Sequence, residues 1–246
     1  MSIFDPIGFL APLIIKARIL MQNIWRSNVD WDSEIPETLL PAWQNWLHEL
    51  KELAPIVVDR YYFPSISCVK EVDLHVFCDA SDKAYSSVAY FRTEEKEDNN
   101  EIHVCFVTAK YKVAPLTQQT IPKLELQGAV LACRLSKKIW EEVEYKIRET
   151  HYWTDSLVVL KRIRSQSRRF PMFVSCRIGE IHENTDVFQW HWIPSEENVA
   201  DQATKELKNI NLKQDGDWFS GPSFLRKPMK LWYCEGGKNS NEERHL

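Results

Sequence analysis

Four acidic residues stand at points where a carboxylate is costly to bury. Asp79 lies in the apolar run EVDLHVFCDA, Glu125 in TIPKLELQGAVLACRL, Asp155 follows HYWT, and Asp201 follows HWIPSEENVA. A buried carboxylate needs a partner, hydrogen bonds or a metal ion, and hard oxygen ligands suit Mg²⁺ or Mn²⁺. If the fold brings the four together, two such ions can activate a water and stabilise the leaving oxygen in phosphodiester cleavage.

The alternative is that these acids are ordinary surface groups. The chain has 35 acidic residues, and most acids in proteins are solvated; Asp73 is predicted to be such a solvated strand residue. The four candidates are separated by 46, 30 and 46 residues, so that only the tertiary fold can unite them. Their order on a strand, a helix, a strand end and a helix start favours one shared site.

The elements that must position these acids follow from hydrophobic periodicity. Alternating residues predict strands at 71–80, 85–92 and 102–110, joined by short links as an antiparallel meander. Helical spacing predicts a long helix from Thr120 to Trp140. Further along, we expect strands at 151–154 and 187–193 and helices at 156–164, 170–183 and about 198–208. This order predicts the α/β class, with a mixed five-stranded sheet flanked by helices.

An N-terminal helical extension precedes the sheet. Helices are expected over Pro12–Trp25 and within Glu37–Leu53, the latter regular from near Leu40 because Pro41 suits a first turn. The apolar N-terminus lacks the basic region and cleavage site of a signal peptide, and charges interrupt it before it could span a membrane. We therefore expect no membrane association. The chain is expected to have three parts: a helical segment 1–66, a domain 67–210 and a C-terminal tail 211–246.

Composition bounds the environment and the partners. With 246 residues, 44% hydrophobic and net charge −4, the chain suits a globular protein without a global basic field, so that a nucleic acid would need a local basic patch. None of the six cysteines forms a CxxC pair. Reduced thiols are therefore expected, which favours an intracellular location, cytoplasmic or nuclear and not secreted.

A local basic patch exists in KRIRSQSRR, next to the Asp155 helix. It is a candidate for contacts to phosphates, although a solvated helix face would have the same composition. Its five cations are Lys161, Arg162, Arg164, Arg168 and Arg169. Further candidates are Lys110, Lys112, Lys123, Lys137 and Lys138.

At these residues the chain resembles the polyproteins of BEL/Pao-type LTR retrotransposons. The segments FCDASDKAYSSVAYFR, TIPKLELQGAVLACRL, YWTDSLVVL and HWIPSEENVAD are similar to the family's ribonuclease H-like region. FDPIGFLAPLIIKARILMQNIW resembles the segment that joins reverse transcriptase to this region, and DWFSGPSFL resembles the segment that follows it. The resemblance covers nearly the whole chain, and it implies a ribonuclease H-like sheet.

By this resemblance, Asp79, Glu125, Asp155 and Asp201 would bind two Mg²⁺ ions, with Mn²⁺ possible in their place, and hydrolyse the RNA strand of an RNA–DNA hybrid. Asn198 matches an asparagine that orients the last loop or contacts phosphate. The reverse transcriptase part of the same polyprotein is the implied partner. Cellular relatives carry a histidine in the loop before the last acid, whereas PSEENVA has none, and His191 is expected to be structural.

Two other functions remain open from the sequence. The first is a non-catalytic nucleic-acid-binding or scaffold module, from a decayed or host-adopted retroelement, that keeps the fold. The second is a DDE-type nuclease or integrase. The sequence disfavours the second, because such enzymes have their glutamate last and here Glu125 is second of four.

Overall fold

The computed structural model describes residues 3–30, 32–58, 61–63, 71–94, 102–166, 169–205, 212 and 216–233. Five strands form one sheet: β1 (Glu71–Ala80), β2 (Ala84–Glu94), β3 (Ile102–Val113), β4 (Lys146–Thr154) and β5 (Trp190–Trp192). Their order is β3-β2-β1-β4-β5. The β1–β2 and β2–β3 pairs are antiparallel, and the β1–β4 and β4–β5 pairs are parallel. The predicted α/β class and mixed five-stranded sheet are confirmed.

Two strand predictions were wrong in extent. β4 begins at Lys146, five residues before the predicted start at His151. Its first five residues, KIRET, are mostly charged or polar and gave no clear apolar signal. β5 is only three residues long. Residues 187–189, predicted as strand, form a 3₁₀ turn closed by a reciprocal capping box between Asp186 and Gln189, in which side chains satisfy the backbone donors that a strand would have paired.

The described helices are close to prediction except for the last. The final segment, predicted as a helix at about 198–208, is a 3₁₀ turn at Val199–Ala203, and residues 206–210 lie outside the described part. The Asn198 side chain accepts from Ala200 N, and this local bond supports a tight turn. The helices are α1 (Ala11–Arg26), α2 (Leu40–Lys51), α3 (Ile121–Glu142), α4 (Leu157–Ile163), α5 (Met172–Asn184) and α6 (Asp217–Ser220).

Each face of the sheet carries its own hydrophobic core. On one face, α3 packs over β1 and β2, and α5 packs against α3. Val76 and Cys78 belong to this core. On the opposite face, Phe77 and Trp153 pack with α1 and with Phe224 of the C-terminal segment. Since both termini contribute to this second core, burial of their apolar residues stabilises the same sheet.

The residues before α1 cover the edge strand β3. The Ile7 carbonyl accepts from Ala109 N at 2.7 Å, while the Asp5 carboxylate accepts from the backbone N–H groups of Gly8, Phe9 and Leu10. These bonds satisfy donors at the start of α1 and cover an open sheet edge. The predicted domain boundaries, at 66/67 and 210/211, fall outside the described residues and stay predictions.

Two observations bear on cysteines and membranes. In the part of the chain that the structure describes, four cysteines are free thiols, namely Cys78, Cys105, Cys133 and Cys176. Cys68 and Cys234 lie outside it. Among the described helices, none is both long and apolar enough to cross a lipid bilayer.

Candidate functional site

The parallel pairing of β1 and β4 places the first two acids side by side. Phe77 of β1 is paired with Trp153 of β4. Asp79 lies two residues further along β1, and Asp155 directly follows the last residue of β4, so both acids lie at the same edge of the sheet. Asp79 is buried, with 8% of its surface exposed. The carboxyl ends of two neighbouring strands thus form the base of the site.

Helix α3 approaches this base closely enough to add Glu125. A Cβ atom built at Gly128 would lie 3.0 Å from the Asp79 carbonyl oxygen, so that glycine lets the helix backbone lie against β1. One turn earlier, Glu125 Oε2 accepts from Ser156 Oγ at 2.7 Å. Ser156 also caps α4 by accepting from Val159 N at 3.2 Å, so one serine links the helix α3 to the end of β4.

The turn that carries Asp201 is tied to the sheet by buried polar side chains. Asn198 Nδ2 donates to the Cys78 carbonyl at 3.1 Å, and Ser86 Oγ donates to the Ala200 carbonyl at 2.7 Å. Thr204 Oγ1 donates to Asp79 Oδ2. Asn198 is buried, and these contacts orient the loop; a contact from Asn198 to phosphate stays a prediction.

Charge interactions connect the acids in pairs. Burial raises the pKa of Asp79 to about 7; Asp155 and Asp201 add to this shift, whereas the Thr204 hydrogen bond and Lys205 oppose it. Burial also raises the pKa of Glu125, with Asp155 contributing in the same direction. Like charges in a partly dry site repel each other, so this end of the sheet has an unmet demand for positive charge.

Each of the four carboxylates has one oxygen held by a donor of the protein. Besides the Thr204 and Ser156 bonds, Ser195 Oγ donates to Asp155 Oδ2 at 2.6 Å, and Lys205 Nζ lies 2.6 Å from Asp201 Oδ1. Within the described residues, the second oxygen of each carboxylate accepts from no side chain. Partners of this kind fix the orientation of potential metal ligands.

Sequence reasoning missed these four donors. A usable signal was present only for Lys205, which follows its partner Asp201 by four residues, whereas Ser156 and Thr204 lie 31 and 125 residues from the carboxylates that they contact. Ser195 gave none, because it lies 40 residues from its carboxylate.

The donor chemistry fits a hard divalent cation, because all four side chains offer carboxylate oxygens. In the described part of the chain, however, no three His, Cys, Asp or Glu side chains are grouped so that they could hold a metal ion. The side chains stand where the protein's own hydroxyl and ammonium donors hold them. The residue types therefore suit a divalent cation, although the side chains as they stand do not form a metal-binding group.

The basic stretch is only partly exposed. Lys161, Arg164 and Arg169 are exposed. Arg162 is half-buried and donates from Nη1 to the Pro122 carbonyl at 2.8 Å, which ties α4 to the start of α3. Its positive charge opposes the rise in the pKa of Glu125 that burial causes. Arg168 lies outside the described residues. The role of these cations in substrate binding stays a prediction.

Two residues outside the site bear on the strand predictions. The prediction that Asp73 is solvated was wrong: it is 1% exposed, and Arg148 Nε donates to its Oδ1 at 2.9 Å. His191 lies on β5, with Nε2 3.2 Å from His151 Nδ1, and its ring packs near Trp153. These aromatic contacts give His191 a packing role in the sheet.

Comparison with known proteins identifies a family. The family model described as "Pao retrotransposon-like RNaseH-like domain" matches residues 1–156. The match includes Asp79, Glu125 and Asp155 and stops before Asp201. No curated protein is significantly similar to this chain in sequence.

Solved ribonucleases H are among the structural neighbours, at low overall similarity. The N-terminal RNase H domain of a Mycobacterium tuberculosis protein is 12% identical, covers 54% of this chain and 91% of its own, and gives a TM-score of 0.39. RNase H1 of Halobacterium salinarum is 9% identical, covers 53% and 90%, and gives 0.31. An RNase H1 isolated from compost is 12% identical, covers 55% and 92%, and gives 0.32.

Proposed function

This chain belongs to the family of Pao retrotransposon-like RNase H-like domains, and from that premise we propose that it is a metal-dependent endoribonuclease that hydrolyses the RNA strand of RNA–DNA hybrids. The observation that supports the proposal is that Asp155 and Asp201 both act on the buried Asp79, and that Asp155 also acts on Glu125. Asp79 is the most telling of them, because a buried aspartate beside two other acids destabilises a fold unless a cation compensates it.

In the proposed mechanism, Asp79, Glu125, Asp155 and Asp201 would hold two Mg²⁺ ions, or Mn²⁺ in their place. Such ions, when bound, activate a water and stabilise the leaving oxygen. The hydroxyl groups of Thr204, Ser156 and Ser195 each hold one oxygen of one carboxylate, on Asp79, Glu125 and Asp155 respectively. The second oxygen of each of these carboxylates is left for a metal ion. Asp79 must release the proton that its raised pKa retains near neutral pH, because a carboxylate ligand binds in its deprotonated form.

The proposed substrate is held by backbone phosphates and recognised by its RNA strand. The exposed cations Lys161, Arg164 and Arg169 are the first candidates for phosphate contacts. The 2′-hydroxyl distinguishes RNA from DNA at the cut. We place the reverse transcriptase part of the same polyprotein as the partner that helps to hold the hybrid, and an intracellular location follows from the free thiols.

A second candidate function is a binding module that holds hybrids without cutting them. The observation that favours it is the Lys205 ammonium on Asp201, which already supplies one positive charge to the acidic cluster. In that case the four carboxylates would be the remains of a metal site.

Cleavage of an end-labelled RNA–DNA hybrid separates the two functions. The purified chain is expected to cut the RNA strand with Mg²⁺ and to stop when a chelator is added. Asp155→Asn is expected to lower the rate by about 100-fold or more, because metal-held charge stabilisation contributes several kcal/mol. The matched control is Glu183→Gln, which neutralises an exposed acid on α5 and should cut at the wild-type rate.

The outcomes are decisive in both directions. Metal-dependent cutting that Asp155→Asn loses and Glu183→Gln keeps would establish the nuclease. A folded wild type that binds the hybrid and does not cut it in Mg²⁺ or Mn²⁺ would refute the nuclease and favour the binding module.

A further inference from the structure

A polar cavity lies on the helical face of the sheet, apart from the four carboxylates. It has a volume of about 180 Å³ and is enclosed by α3, by α5 and by the ends of β2 and β3. None of the four acids lines it. Its polar lining consists of Tyr85, Lys112, Gln127, Arg134, Arg177 and Glu180, with the Cys176 thiol at its wall.

The cavity carries an excess of positive charge. Arg134, Lys112 and Arg177 face a single carboxylate, Glu180. That carboxylate is taken by Arg134, whose Nε and Nη2 donate to its two oxygens at 2.6 and 2.9 Å. Lys112 and Arg177 form no ion pair with a carboxylate among the described residues, so the cavity has two positive charges available to an anion.

Arg177 is already fixed in a position to bind. Its Nη1 donates to the Phe173 carbonyl at 3.0 Å, and its guanidinium carbon stands 3.5 Å from the centre of the Phe173 ring. Burial lowers the pKa of Arg177 and the nearby Arg134 adds to this effect, whereas Glu180 opposes it. A partly buried, pre-oriented guanidinium is well suited to the oxygens of a phosphate.

The position of the cavity indicates the source of the phosphate. Tyr85 is paired with Ala80, the residue after Asp79, and Lys112 is the β3 partner of Tyr85. Gln127 lies on α3 two residues from Glu125. The cavity thus flanks the same end of the sheet as the acidic cluster, so one strand of a bound duplex can reach both.

We propose that this cavity binds a backbone phosphate of the nucleic-acid substrate, with Lys112 and Arg177 as its cationic ligands. The nature of that substrate, an RNA–DNA hybrid, rests on the proposed function. The site is separate from the basic stretch at 161–169 and would fix the duplex on the opposite flank of α3.

Affinity measured as a function of salt tests the site. Binding of a labelled hybrid is measured by fluorescence anisotropy in Mg²⁺, with Asp155→Asn present in every protein. The test variant is Lys112→Gln/Arg177→Gln. The control variant, Lys146→Gln/Lys230→Gln, removes two exposed cations elsewhere. The cavity pair is expected to raise Kd about tenfold near 0.1 M salt and to reduce the slope of log K against log salt by about 1, the loss of one phosphate contact. The control pair should change Kd less than twofold.

Alkylation of Cys176 gives a local readout. This thiol is exposed and lines the cavity, so hybrid binding is expected to slow its reaction with a maleimide at least several-fold, as followed by peptide mass spectrometry. The single variant Lys112→Gln, at an exposed position, repeats the test if the double variant folds poorly. Inorganic pyrophosphate at matched ionic strength serves as the free-phosphate probe.

Three results would overturn the site: equal Kd changes in both double variants, unprotected Cys176 with bound hybrid, or protection by pyrophosphate and not by hybrid. Cleavage by the wild type is measured separately. If hybrid binding protects Cys176 but the wild type never cuts, the nuclease is refuted and the phosphate site stands. If the wild type cuts normally but the cavity variants bind the hybrid as tightly as the wild type, the phosphate site is refuted and the nuclease stands.

Discussion

Two aspartates on the same face of β1 have opposite surroundings. Asp73 and Asp79 are both buried, with 1% and 8% of their surface exposed, and they lie six residues apart, or about 20 Å along the strand. Asp73 accepts from Arg148 and lies 3.6 Å from Arg92 Nη1. The charged neighbours of Asp79 are two further acids and Lys205.

The difference separates a structural carboxylate from a functional one. At the Asp73 end, opposite charges compensate each other within the protein. Between the two ends stand His75 and His151, whose rings stack at 4.8 Å and whose pKa values burial lowers, so they remain neutral. At the Asp79 end the charges do not balance, and a bound cation would relieve that repulsion.

The largest expected effect is that of Asp73→Asn. The change takes from Arg92, which is 2% exposed, its buried counter-charge and leaves it only the partly exposed Glu94. Breaking a buried pair on one side destabilises by about 3–5 kcal/mol. Urea denaturation at pH 8 with a chelator should show a loss of unfolding free energy in this range. A loss below about 1 kcal/mol would show that Asp73 does not stabilise the fold.

The same substitution at Asp79 should have the opposite sign. The pKa of Asp79 is about 7 in the folded chain and about 3.9 for an unfolded aspartate. Between these values the native state binds more protons, so that stability falls as pH rises and the full penalty is present above pH 7. Asp79→Asn should therefore raise the unfolding free energy at pH 8 by on the order of 1–3 kcal/mol.

That gain has a pH signature which distinguishes it from a general charge effect. It should shrink as pH is lowered from 7 and vanish below about pH 4, where Asp79 is protonated in both the folded and the unfolded state. Glu183→Gln is the control, since this exposed acid on α5 should leave the stability unchanged within about 0.5 kcal/mol. Destabilisation by Asp79→Asn at pH 8 would show that groups within the protein already compensate the repulsion around Asp79.

The smallest effect compares two helical glycines. Gly179 in α5 has no atom within 4 Å of the position of an added Cβ, whereas at Gly128 that Cβ would meet the Asp79 carbonyl oxygen. Gly179→Ala should stabilise by about 0.5–1 kcal/mol through helix propensity. Gly128→Ala should gain less or lose stability, and should lower hybrid cleavage, because α3 must shift from β1. Equal stabilisation of the two variants would contradict the close approach.

Much of the fold could be predicted because its signals are local. Alternation of apolar and polar residues predicted β1. Pro122, together with the helical spacing of apolar residues, predicted α3. The parts that failed had no local signal. β4 begins in charged residues, and Val187–Gln189 was diverted into a turn by its own capping side chains. The site was predictable to the level of its four acids, while its donors Thr204 and Ser195 were not, since each reaches its carboxylate through space.

The sequence by itself determined the α/β class, the strands and helices, and which acids occupy them, because periodicity and capping act over a few residues. Only the tertiary structure decided that Asp73 is paired and Asp79 is crowded, although both have the same residue type, strand and face. The charge environment of a buried group is set by side chains from distant segments, and Arg92, Arg148, Asp155 and Asp201 meet β1 only when the chain folds.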